Sequence, residues 1–440
     1  MTLRIQTMHR VAAFISAVLL VLALGFGTRY YQDHGGWDLQ SGNNGLMTLM
    51  LLVLGFVLAF SFAVLRPGRR NTNGARWTAI VWSLALLVAI AFTWHVIVVA
   101  DRWVVHAGTP ITSQQEYDQF VAAHRDSFGR YTYQVPTGVF LQSFEFLNSH
   151  NVQMTGYVWQ FYSKDIPKEI TRGVVFPEAL EDAYKAKKAW EIDRADGQHI
   201  GWYFSGVFRQ NFDYAHYPFD RQSIWIRLWH PDPERPVLLV PDFQSYSNLS
   251  PQSLPGIEKN FVYGGWDPIL SEFGYELITY NTHFGRGGQL NGIPYPDLFF
   301  GLAVERDPLG PLLEHIVLES AIAILLFFLL VLMSNRAADQ ERVGLTIFDL
   351  IVAAGGLLFA VILDHNSIRT AIESQTLTYL EWFPLILDFF IVLVVLSAVL
   401  RVQQWRLPFL GYTGDLVPVL AYWPAFLGTV LLVTLLVFFY

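Results

Sequence analysis

The sequence predicts a membrane protein in which helical spans flank a single exported antiparallel β-sandwich, and three observations carry that prediction. Of the 440 residues 53% are apolar and only 15% are charged, far from the balance of a soluble globular chain. The apolar residues gather in seven runs long enough to cross a hydrocarbon core, which takes about 20 residues at roughly 1.5 Å each. Between the third and fourth runs, Asp101 to Gly310 reads as ordinary soluble protein with aromatic and β-branched residues at period two. The chain thus divides into a three-helix region (1–100), a β-domain (101–310) and a four-helix region (311–440).

In chain order the apolar runs are 11–27, 46–65, 77–100, 316–333, 343–363, 382–400 and 416–440. Arginine marks alternate flanks: Arg4 and Arg10 at the start, Arg66, Arg69, Arg70 and Arg76 between the second and third runs, Arg336 and Arg342 between the fourth and fifth, Arg401 and Arg406 between the sixth and seventh. The positive-inside rule puts all four on the cytoplasmic side of a cell (inner) membrane. The amino terminus is then cytoplasmic, and the β-domain and the carboxyl terminus are extracytoplasmic. Met1 to Arg10 also fits the basic start of a cleaved signal peptide; the later flanks keep the β-domain outside either way.

Within the β-domain, Ser113 and Glu116 stand at capping-box spacing before a short helix over 117–124. Runs 138–146 and 152–162, parted by Asn148-Ser149-His150-Asn151, read as paired strands, and 201–208, 222–229, 237–240, 275–284 and 298–304 as further ones. Turn signals between them favour an antiparallel sandwich over alternating βα units. Glu178 to Trp190 reads as a helical insertion.

A net charge of −8 with no Lys/Arg run in the β-domain argues against a nucleic-acid partner. With no cysteine there is no disulfide, thiolate metal site or Cys nucleophile. His199, His216, His230 and His283 lack metal-ligand spacing, and no phosphate-binding glycine motif is present. The expectation is a protein that is not an enzyme and holds no cofactor or metal.

The run Asn211-Phe212-Asp213-Tyr214-Ala215-His216-Tyr217-Pro218-Phe219-Asp220-Arg221-Gln222 resembles the signature loop of pentameric ligand-gated ion channels, an aromatic-Pro-aromatic-Asp-x-Gln pattern. The layout from about Pro136 to Tyr440, a β-domain followed directly by four spans, is similar to that family. Val135-Pro136-Thr137-Gly138-Val139-Phe140 looks like its first-strand entry, Trp159 falls where its second strand carries a tryptophan, and 299–306 resembles its last strand with a closing arginine. The absence of cysteine matches prokaryotic members. Two features depart from the family: the run 316–333 has no proline, and the first three spans have no counterpart.

The resemblance implies a homo-pentamer in membrane lipid that conducts inorganic ions and is opened by an unidentified small-molecule ligand. In 343–363, Thr346, Asp349, Ala353, Gly356, Ala360 and Leu363 share one helical face, while Phe348, Ile351, Leu357 and Phe359 lie off it. Such a stripe suits either a wettable pore or close helix packing. Asp349, about 9 Å inside the helix by rise, would with Glu341 at the inner mouth favour cations. Glu319 and Asp388 fall near the outer ends of their spans, where hydrogen bonding between helices is the leading role. Pro218, Phe219 and Asp220 should face the linker from Asp364 through Arg369 to Tyr379, and Asp220 and Arg306 are the ion pair the family implies at that junction. An aromatic ligand cage would draw on Trp159, Trp202, Trp229, Trp266 and Tyr280, with Arg286 favouring an acidic ligand. The second reading is a non-conducting membrane sensor or adaptor of the same fold, signalling through its extra helices.

Overall fold

The computed structural model describes residues 72–99, 108–180, 185–232, 235–259, 264–282, 294–334, 346–374, 376–402 and 417–439, with Val18 and Arg29 besides. Apart from Val18, the first two apolar runs lie outside these residues, as do Glu341, Arg286 with its glycine-rich neighbours, and most of the arginine flanks.

The elements are α1 (Thr72–Val99), β1 (Thr109–Ile111), α2 (Gln114–Ala123), α3 (Arg125–Phe128), β2 (Tyr133–Asn148), β3 (Asn151–Ser163), β4 (Lys185–Asp193), β5 (Gly197–Arg209), β6 (Arg221–Leu228), β7 (Val237–Pro241), β8 (Trp266–Ile278), β9 (Tyr295–Arg306), α4 (Leu309–Ser334), α5 (Ile347–Ile372), α6 (Trp382–Val402) and α7 (Val417–Phe439). The strands form two sheets, ordered β1-β8-β9-β6 and β4-β5-β3-β2-β7. Strict alternation of buried and half-exposed residues along β3 and β6 turns one face of each sheet inward. The two inner faces close on a single core that holds Val139, Phe204 and Phe208 from one sheet and Ile224, Phe273 and Phe300 from the other. β9, paired on both edges, is buried along most of its length.

Two strand expectations are corrected. β2 and β7 run parallel, so the sandwich is mixed. The chain leaves β6 in one sheet and crosses to the other, which frees it from the reversal a hairpin imposes. The helix expected over Glu178 to Trp190 is replaced by β4, which pairs antiparallel with β5. Lys and Ala favour a helix, but the open edge of β5 and the seat for Trp190 over Gly201 decide the matter. A Cβ at Gly201 would come within 2.1 Å of that indole. The Ser113 cap does form, accepting from the Glu116 N–H at 3.2 Å.

Among the described residues five helices, α1 and α4 to α7, are long and apolar enough to cross a membrane. α4 begins at Leu309, earlier than its apolar run, which takes Pro311 into its first turn, where proline is tolerated. Glu319 therefore lies about 15 Å along α4 by helical rise, well inside rather than near its end. α5 extends to Ile372, beyond the apolar run, so its last turns are polar enough to meet the β-domain. Ile368, Ile372 and Leu380 belong to the same core cluster as the two sheets; sandwich and helices are one packed body at this junction.

Candidate functional site

The loop between β5 and β6 is built to hold one carboxylate. Phe212, Tyr214 and Tyr217 anchor it in the core, Asp213 accepts from the Ala215 N–H at 2.9 Å, and the Tyr217–Pro218 peptide is cis. Asp220 lies inward, its side chain 1% exposed. There Arg306, at the end of β9, donates from Nε to Oδ1 at 2.7 Å and from Nη2 to Oδ2 at 3.3 Å. Gln222 adds a bond to Oδ2 at 3.0 Å, and the Arg306 N–H reaches the Asp220 carbonyl at 3.2 Å. A forked guanidinium–carboxylate pair fixes orientation as well as distance. The other side of the guanidinium is aromatic, with Trp266 at 4.1 Å and Tyr217 at 4.8 Å from their ring centres. Burial pushes the Tyr214 and Tyr217 hydroxyls up, so both rings meet the pair as neutral phenols.

The same loop touches the linker between α5 and α6. The Tyr379 N–H donates to the Ala215 carbonyl at 2.9 Å and the Leu380 N–H to the Tyr217 carbonyl at 3.1 Å. Pro218 is buried, while the Phe219 ring sits among Trp94 of α1, Tyr379 and Phe438 of α7 at 6.0, 6.1 and 5.8 Å. A second contact comes from the β2–β3 turn, where Ser149 Oγ donates to the carbonyl of Glu373 at 2.9 Å. Glu373 ends α5 in the left-handed region, φ 50°.

Arg369, expected in the linker, lies instead in the last turn of α5 and reaches the linker from there, its Nη1 2.9 Å from Glu381. Burial alone would raise the Glu381 carboxyl, but hydrogen bonds from Thr378 and Arg369 outweigh it and hold the group below its usual value. Burial pushes the Tyr379 hydroxyl up to about 12, so it stays a neutral donor and acceptor.

α5 turns Leu350, Ala354, Val361, Asp364, Ile368 and Ile372 toward its neighbours. Asp349, Gly356 and Leu363 are exposed within the single chain, and Ala353 and Ala360 are half-buried at the border of that face. Phe348 and Phe359 are 73% and 63% exposed, so the free face is wider and more aromatic than the small-residue stripe. The depth expected for Asp349 is also corrected. Thr346 is the N-cap, and Asp349 closes a capping box with it, accepting from the Thr346 N–H at 2.8 Å and from its hydroxyl at 2.6 Å. Asp349 is thus in the first turn, about 5 Å from the end by rise.

Of the aromatic residues expected in a cage, Trp229 and Tyr280 meet, while Trp159, Trp202 and Trp266 make their contacts elsewhere. Trp159 donates to Asp242 at 2.8 Å and borders an open groove with Phe140, Tyr157, Trp190 and His199. Trp202 packs on the sandwich core. Trp266 already serves Arg306. Tyr280 donates to Asp297 at 2.5 Å and meets Trp229 edge-on. Beneath this pair lies a cluster absent from the sequence expectations, in which Arg227 bonds Glu178 and approaches Asp297 at 3.5 Å. Burial raises the Asp297 carboxyl.

One further pair was missed. His315 of α4 and Asp364 of α5 pair at 2.8 Å, both buried. Glu319, four residues on from His315 along α4, is also buried. Residues 49 apart in sequence carry no local signal of such a pairing.

No protein-family model and no curated protein matches the chain.

Proposed function

We propose that the chain is one subunit of a pentameric ligand-gated ion channel of the cell (inner) membrane, with three spans before an extracytoplasmic sandwich and four after it. The observation that carries this reading is the joint: the loop ending in Asp220 is locked to Arg306 at one end and hydrogen-bonded at the other to the linker that follows α5. A shift of the sandwich would therefore pull on the outer end of α5. In this reading the free face of α5 lines the pore, with Asp349, Gly356 and Leu363 toward the axis, Ala353 and Ala360 at the flanks and Thr346 with Glu341 at the inner mouth. Five Asp349 carboxylates would favour cations.

The test uses the purified full chain in two experiments. Particle images should show five-fold symmetry about a central axis. In planar bilayers, acid, voltage and small-molecule steps on the sandwich side should evoke a cation-preferring current. Particles without five-fold symmetry overturn the proposal. Five-fold particles that never conduct would leave the sensor or adaptor reading in its place.

A further inference from the structure

The helix that precedes the sandwich is bound into the joint by specific contacts. Leu86, Ile90, Thr93 and Ile97, spaced three and four apart, are buried and seat α1 along α7. At its outer end two polar contacts reach the joint. Trp94 Nε1 donates to the Tyr379 hydroxyl at 2.8 Å, and Arg221, next to Asp220, donates to the Val98 carbonyl at 3.3 Å, one of the carbonyls a helix end leaves unpaired.

The Trp94 bond has a fixed direction. An indole N–H can only donate, so the Tyr379 oxygen accepts from Trp94 and turns its own proton toward Thr434 Oγ1, 2.7 Å away. Thr434, fully buried in α7, then donates to the Val430 carbonyl at 2.8 Å. The residue that receives Trp94 through its hydroxyl is the one whose N–H holds the β5–β6 loop. Simple lipid anchoring would leave the indole N–H facing headgroups and water; here it is spent on the linker.

We infer that α1 is a built-in regulatory helix of the joint, with Trp94 as the positioning residue that holds Tyr379, and through it the linker, against the β5–β6 loop. The inference rests on the coupling role proposed above for that loop. A displacement of α1 that draws the Trp94 indole off Tyr379 would release that hydroxyl and loosen the link between sandwich and α5.

The test uses the full chain in lipid nanodiscs and bilayers. Because the chain has no cysteine, Leu377→Cys, at an exposed linker position, takes a single nitroxide. Trp94→Phe removes the N–H and keeps a ring; Tyr379→Phe removes the acceptor. Each should raise the ratio of mobile to immobile label about fivefold, the value of one hydrogen bond, and the double variant should go no further than either single one. Leu86→Ala, which trims the packing of α1 about two turns from Trp94 and keeps the indole N–H and its acceptor, should lower thermal stability and leave the label unchanged. Additive single effects, an immobile label in Trp94→Phe, or equal mobilisation by Leu86→Ala would each overturn the inference. Currents evoked by acid and voltage steps should show the same pattern in open probability with conductance unchanged. An absent wild-type current with the label pattern intact would reject the channel and keep α1 as a positioning helix.

Discussion

Asp220 is bound so completely that removing its charge should register as a local event. Asp220→Asn keeps the shape of the side chain but leaves the Arg306 guanidinium facing a neutral amide among Trp266, Tyr214 and Tyr217. Breaking one partner of a buried pair costs several kcal/mol; with Arg306 18% exposed and cushioned by the rings, about 2–3 kcal/mol is expected in the unfolding of the full chain. The Asp220→Asn/Arg306→Gln double variant should lose less than the sum of the singles. In the proposed channel, Asp220→Asn impairs activation while assembly and surface delivery stay intact, and normal activation would count against the coupling role. Glu381 gives a pH signature with a definite sign. Its folded carboxyl lies below the usual 4.5, so the folded state holds that proton more weakly than the unfolded one. The resulting stability is fully present above pH 4.5 and is lost as pH falls through the folded value. Wild type and Glu381→Gln should therefore differ most at neutral pH and converge in acid, read by thermal unfolding across that range.

At the scale of single elements, what was legible in the sequence followed from local periodicity. β2, β3, β5 and β6 were readable because each buries one face, which writes period two into the chain. The first part of β8 was not: the strand runs from Trp266 to Ile278, whereas the sequence placed it over 275–284. β4 was misread because its composition favours a helix and only the edge of β5 makes it a strand. In α5 the small-residue face was visible, while the cap at Thr346, which moves Asp349 to the first turn, required the backbone. Gly356 separates packing from pore at this scale. A Cβ there would meet nothing within 4 Å in the single chain, so Gly356→Ala should stabilise α5 by about 0.5–1 kcal/mol through helix propensity alone. If five such faces enclose an axis, the same methyl narrows it, and single-channel conductance should fall while stability rises. A stability gain with unchanged conductance would take this face off the pore.

Across the whole molecule, the twelve-residue run from Asn211 to Gln222 was legible as a joint, but what it grips was not. Trp94, Ser149 and Tyr379 converge from positions far apart in the chain, and a lone tryptophan near the end of an apolar run reads as an interfacial residue. The joint has two arms, because the β2–β3 turn meets the end of α5 through Ser149 and Glu373 while the β5–β6 loop holds the linker through Tyr379 and Leu380. Both arms hang from strands of one packed core, so in the proposed channel a rotation of the sandwich would move the end of α5 that they touch. Freezing one arm should then freeze the response. With no native cysteine to interfere, Ser149→Cys/Glu373→Cys joined by a short thiol-reactive bridge should lose most of any activated current, and a reductant that cleaves the bridge should restore it. The single cysteine variants treated the same way should respond normally. A bridged protein that still responds would show that motion reaches α5 by another route, and the two-armed joint would then be a fixed support.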